Sequence, residues 1–473
     1  MSLPADRSSL PPLQASPVSA DTRLTYVLRH FHLAYATEDA LPTIGYAATQ
    51  PNIEVADAAG AFFEQVNPYP PEPSWRDWQG RTLPFFFDPH PAGPLLTLLP
   101  GRAEIHADII SAAFYLLSGW QEYYSDERDQ HGRFPYSASV QQRYGFVAVP
   151  VVNYYFDVLR AAVEHVTGRQ MRPRHWKADA PFAAFVSHDI DNLRSAWKET
   201  AKQALRRRDW LGFGRQLWQH LTRPDAWDNL AQVQRAVAEY EAVSTFFFIP
   251  QHRPAANGTP NADYFLTDYT PEINQLLAAG AEIQLHASIG TSADSKRLGE
   301  ETQAIPRGAD SPAGIRFHYL YWEPRRTPAL LDGWVFDYDS TLGFAEHFGF
   351  RNSYCLPFHP FDFEQGGCHN FLEIPLNLMD ATLHHPRYLQ LAPEEIMPAI
   401  EPMLGEIERF GGVFSLLWHN ENFDPANHRN GPREFHRIMA YLRSRRAAFL
   451  TGAELVARTK AAATDHSQPT TDN

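Results

Sequence analysis

The sequence predicts an α/β protein: an incomplete, distorted (β/α) barrel preceded by a smaller α/β N-terminal domain. Two observations predict the barrel. Short apolar runs alternate with amphipathic helical stretches through the second part of the chain, and four of those runs end in His or Asp. A third observation, two amphipathic helical patterns before residue 170, predicts the extra folded block.

Taken in order, residues 1–20 are rich in Pro, Ser and Ala without periodicity and read as a flexible tail. The block 21–175 is an N-terminal accessory domain of unknown role. It opens with a strand-like apolar segment at Leu24–Leu28, followed by a Pro-rich aromatic stretch over 67–78. In residues 108–124, Ile109, Ala113, Leu116, Leu117, Trp120 and Tyr124 fall on one helical face. In residues 152–166, Val152, Tyr155, Phe156, Leu159, Val163 and Val166 do the same. The polar, proline-containing stretch 170–181 marks the domain boundary. The block 178–460 carries the apolar runs 182–187, 244–249, 281–286, 314–319 and 412–419, with helical patterns over 227–243 and 393–410 between them. Continuous apolar strands separated by helices indicate a parallel sheet covered by helices. No G-x-G-x-x-G comes after the first strand and no P-loop is present, which disfavours a dinucleotide fold. The end, 461–473, reads as a second tail.

Composition narrows the function classes. The chain has 473 residues, 44% of them hydrophobic, and a net charge of −14, which disfavours nucleic acid or an anionic membrane surface as partner. No membrane span or secretory signal is visible, and two cysteines cannot form a disulfide framework, so a cytoplasmic location is expected.

The strand ends carry the chemistry. The first run leads into His188-Asp189-Ile190-Asp191, the third into His286, the fourth into His318 and the last into His419. In a parallel α/β barrel the C-terminal strand ends converge on one face, where active sites lie. Imidazoles with a carboxylate are the ligands of a zinc-like divalent ion, a further carboxylate can act as general base, and a further histidine can protonate a leaving group. Asp189 and Asp191 stand two apart, so in a strand they point the same way.

These residues resemble the motifs of the NodB-homology polysaccharide deacetylases (carbohydrate esterase family 4), over roughly 280 residues. The first motif of that family, T-F-D-D, is similar to Ser187-His188-Asp189-Ile190-Asp191, with one residue inserted between the carboxylates. The family's A-T-F-F strand resembles Ser244–Phe248. The H-S/T-x-x-H motif resembles His286-Ala287-Ser288-Ile289-Gly290, with Gly in place of the second His. R-x-P-Y resembles Arg316-Phe317-His318-Tyr319, and L-x-H resembles Leu417-Trp418-His419. The resemblance implies Asp189 as catalytic base, His419 as catalytic acid, and Asp191 and His286 as ligands of a divalent metal, expected to be zinc. His318 is the candidate to replace the ligand lost at Gly290. Arg316, Asp339, Trp418 and Asn420 are expected to contact substrate or to orient the catalytic groups, Asp339 from a turn-like segment. His188 is expected to be structural. The implied activity is removal of N-acetyl, or O-acetyl, groups from a bacterial carbohydrate. The alternatives are an inactive deacetylase-fold protein that binds glycans or assists assembly, and a hydrolase of small C–N amides on the same fold. Residues 114–124 and 131–135 resemble an N-terminal domain that accompanies one bacterial subgroup of these proteins.

Overall fold

The computed structural model describes residues 17–464, apart from 37–40, 175, 178, 207, 223, 253, 256–257, 259–260, 308–310, 335, 425–426 and 428–430. The fold begins earlier than the expected tail boundary. Val18 is buried, its backbone N–H bonded to the Phe63 carbonyl at 3.1 Å, and Ser19 caps a helix spanning Ala20–Ala34 by accepting from the Thr22 N–H. The strand expected at Leu24–Leu28 is therefore part of this helix. Its buried residues Arg23, Tyr26, Val27, His30, Phe31 and Ala34 keep helical spacing, which a five-residue window could not display.

The first helical pattern is interrupted. Ile109–Leu117 is helical and buried on every side, then Gly119 at φ +71° turns the chain before a short helix over Trp120–Tyr123. The second pattern is one helix, Val151–Thr167, ended by Gly168 at φ +68°. These helices pack with a four-stranded sheet and a hairpin pairing Ser74–Trp78 with Arg81–Phe85.

The barrel strands are β1 (Ala183–Ile190), β2 (Thr245–Phe248), β3 (Glu282–Ala287), β4 (Gly314–Phe317), β5 (Tyr338–Asp339), β6 (Leu372–Glu373), β7 (Leu378–Met379), β8 (Val413–Leu417) and β9 (Ala448–Phe449). All pair in parallel, in the order β6-β5-β4-β3-β2-β1-β8-β7, with β9 on the start of β1. No pairing joins β6 to β7 among the described residues, so the sheet curls without closing: an incomplete (β/α) barrel. Asp339, expected in a turn, lies on β5. Helices Leu230–Ala238 and Pro393–Arg409 occupy two of the predicted helical stretches. The last helix, Gly452–Thr464, runs past the expected start of the C-terminal tail.

One continuous apolar core runs from Val18 through both blocks to Val456. The blocks are also joined by buried polar contacts. Arg351 donates to both Glu122 oxygens (2.8 and 2.5 Å), and the His359 N–H donates to His30 Nε2 at 3.0 Å. No described helix is long and apolar enough to cross a membrane.

Candidate active site

Strand parity builds the site. Successive strand residues face opposite sides, and paired residues on neighbouring parallel strands share a side. Ser187 pairs with Leu417, Asp189 with Phe247, and His286 with Arg316. Counting on by two from these positions puts Asp191, His318 and His419 on the same face. Asp189, Asp191, His286, His318, Leu417 and His419 accordingly line one cleft of about 450 Å³ at the C-terminal strand ends.

Arg316 anchors the cleft floor. Its side chain is completely buried and lies over the Phe247 ring at 4.4 Å. Nη1 donates to Asp189 Oδ1 (2.9 Å) and Ser187 Oγ (2.9 Å), Nε to the Ser340 carbonyl (2.7 Å) and Nη2 to Ser340 Oγ (3.0 Å). A guanidinium with four such partners holds one carboxylate oxygen in place, and Asp189 keeps its other oxygen toward His286 Nε2 at 3.5 Å.

Asp191, His286 and His318 converge. Asp191 Oδ1 stands 3.4 Å from His286 Nε2, and Oδ2 stands 3.3 Å from His318 Nε2. One ligand atom from each lies within 4.8 Å of the others. Asp191 Oδ1 is buried and accepts no hydrogen bond of good geometry. His286 Nδ1 donates to the Arg316 carbonyl at 2.9 Å, which leaves the Nε2 lone pair for a ligand, while His318 Nδ1 has no hydrogen-bond partner among the described residues. A carboxylate whose two oxygens each face an imidazole nitrogen, one of them accepting no hydrogen bond, suits a divalent cation. Burial alone would raise the Asp191 pKa, but His318 and His286 hold it well below the usual carboxylate range. Gly290 contributes nothing to this cluster. It sits at φ +94° in a turn, a conformation a histidine rarely adopts. Nearby, the Ser288 hydroxyl bonds Glu301 and accepts from Arg297 Nη2 at 2.8 Å.

His419 faces the cleft from the other side, Nε2 3.9 Å from Asp191 Oδ2. Its Nδ1 bonds Asp380 Oδ1 at 2.8 Å, and its backbone N–H donates to Asp380 Oδ2 at 2.7 Å. A carboxylate can only accept, so Nδ1 carries a proton. Burial would lower the His419 pKa, but Asp380 and then Asp191 raise it well above the usual value. Asp380 is a site residue that the sequence motifs do not pick out. Its signal is its place directly after the buried strand Leu378–Met379, comparable to the strand-end placement of the other site residues.

Three expected contacts are not brought to the cleft. Trp418 lies between Leu417 and His419, so its ring points to the opposite face and packs against Phe435 (5.9 Å). Asn420 is fully buried, its amide bonded to the Asn192 and Trp227 carbonyls. Asp339 pairs with Ile315, one residue out of phase with Arg316, and bonds Thr341 instead. Burial raises its pKa, and burial with Asp339 beside it raises that of Glu373. His188 shares the parity of Trp418. It bonds the Trp418 carbonyl at 2.7 Å, and burial lowers its pKa to about 4.

A family of unknown function (DUF7033) matches residues 18–168, the first block. A search of curated proteins found no match. Among solved structures, a Mycobacterium smegmatis protein described as a polysaccharide deacetylase is similar at 17% identity and a TM-score of 0.41, over 61% of this chain and 93% of that one. A PuuE allantoinase is similar at 12% identity and a TM-score of 0.39, over 61% and 94%. A Bacillus cereus polysaccharide deacetylase is similar at 10% identity and a TM-score of 0.29, over 57% and 91%. In each case the likeness covers less than two thirds of this chain.

Proposed function

We propose that the cleft is the active site of a metal-dependent hydrolase that removes acetyl groups, N-acetyl before O-acetyl, from a carbohydrate. The observation that carries this reading is the placement of Asp189, held by Arg316, and His419, held by Asp380, on either side of the Asp191–His286–His318 cluster. Those three residues would hold the metal, with His318 in place of the ligand absent at Gly290. When bound, a divalent ion such as zinc supplies Lewis-acid polarisation of the acyl carbonyl. Asp189, with one oxygen fixed by Arg316, accepts a proton from the attacking water through the other. His419, whose Nδ1–H is held by Asp380 and whose raised pKa keeps Nε2 protonated as well, presents its Nε2–H to the departing nitrogen and delivers that proton there. The C–N bond breaks, the water oxygen bonds to the acyl carbon, and the products are acetate and a free amine. Asp380 is a positioning residue, since it acts through His419.

The test is elemental analysis of the purified protein together with acetate release from N-acetylated oligosaccharides. Bound stoichiometric metal and acetate release that Asp189→Asn abolishes support the reading. Protein that binds no metal at micromolar zinc and releases no acetate would transfer the preference to glycan binding without catalysis.

A further inference from the structure

We propose that the outer mouth of this cleft selects a glycan bearing a carboxylate, which Arg387 reads; the inference rests on the hydrolase reading of the same cleft. The inner cleft carries Asp189, Asp191 and three imidazoles, whereas its outer wall carries His131, Arg133, His385 and Arg387. Two distant segments supply that wall: the first block and the loop beyond β7. In a chain of net charge −14 this is a local reversal of sign, and it faces the substrate path.

The charges on these four groups differ. Arg133 is already neutralised, donating through Nε and Nη2 to Asp129 at 2.8 and 2.6 Å, and its Nη1 holds the Tyr319 carbonyl at 2.9 Å. Tyr319 itself stands at φ +61°, a left-handed conformation unusual for an aromatic residue. The Tyr319 ring contacts His318 (centroids 4.5 Å apart) and stacks on His131 (5.2 Å), so the mouth adjoins the ligand cluster directly. The pKa values of His131 and His385 are both lowered, by burial first and then by the neighbouring arginines, which keeps these imidazoles neutral at pH 7. Arg387 is exposed, and among the described residues its guanidinium forms no ion pair. One uncompensated guanidinium fork matches a singly charged carboxylate in charge and in shape. A phosphate monoester, at nearly −2, would leave excess charge.

The test compares a hyaluronan tetrasaccharide, which carries both N-acetylglucosamine and glucuronate, with its methyl ester, in which each carboxylate is neutral and one methyl larger. Zinc-supplemented full-length protein should deacetylate the acid roughly tenfold better in kcat/KM than the ester, on the scale of one charge-assisted bidentate contact. Arg387→Gln should bring that ratio near one, chiefly through KM, and Arg387→Lys should restore part of it. A ratio near one in the wild type, or a ratio that survives in R387Q, overturns the proposal. If neither compound is hydrolysed, the same comparison is read from calorimetric binding. Charge-dependent binding lost in R387Q supports the mouth while removing the hydrolase reading; charge-independent binding, or none, overturns the mouth as well.

Discussion

Arg316 carries a full charge where no water reaches it, and Asp189 is the carboxylate that compensates it. Truncating one member of such a pair leaves the other buried and unpaired. Arg316→Ala should therefore lower stability by about 3–5 kcal/mol, read from urea unfolding. Asp189→Asn keeps an acceptor for the guanidinium while removing the base, so it should fold and lose activity by roughly 10²–10⁴-fold. His318→Ala should lower bound zinc and activity together. Ser288→Ala should leave bound zinc unchanged, because its hydroxyl is committed to Glu301 and Arg297. Zinc content by elemental analysis checks both. The five cleft residues are legible in the sequence because each sits at the end of an apolar run. Trp418 and Asn420 are misplaced by a reading that weighs adjacency to a site residue above strand parity, and Asp339 by a family resemblance that does not register its pairing with Ile315, out of phase with Arg316.

At the scale of elements, the long barrel strands β1 to β4 and β8 are legible from their apolar runs. Strands β5, β6 and β7 have two residues each, too few for any periodic signal, although residues 372–380, which hold β6 and β7, are visible in the sequence as one buried strand-like segment rather than two. The helix Ala20–Ala34 escapes a sequence reading because polar residues dominate its exposed face and only its full length reveals the buried one. That helix carries a pH-dependent fastening. His30 Nδ1 bonds the Tyr26 carbonyl at 2.8 Å while Nε2 accepts from the His359 N–H, so the ring must be neutral. Burial, and then His359, lower the His30 pKa to about 3; burial, and then Arg29, lower that of His359 to about 4. Unfolded histidine titrates near 6.5. Below that pH the unfolded chain takes up protons that the folded chain refuses. The stabilisation is complete above about 6.5 and is lost progressively as pH falls toward 4 and then 3. The urea midpoint should thus be lower at pH 5 than at pH 7.5, and His30→Gln should reduce that difference.

For the molecule as a whole, the first block is readable from sequence as folded but not as part of the site. Arg133 and the Tyr319 carbonyl it holds are 186 residues apart, and no local pattern announces such a pair. Comparable distances in sequence separate the other links between blocks. The Glu122–Arg351 bridge is almost wholly buried, the Gln141 amide donates to the Arg351 carbonyl at 2.7 Å, and Tyr154 bonds Glu406 at 2.7 Å. With one apolar core beneath these contacts, neither block can be removed without exposing the buried face of the other. Thermal unfolding should therefore show one transition, with near- and far-ultraviolet dichroism coinciding. Limited proteolysis should not release an intact 178–460 fragment. Glu122→Ala should lower that single transition as a whole, because it leaves Arg351 charged and buried at the seam. Two separate transitions, or a stable barrel fragment after proteolysis, would show instead that the blocks are joined but energetically independent.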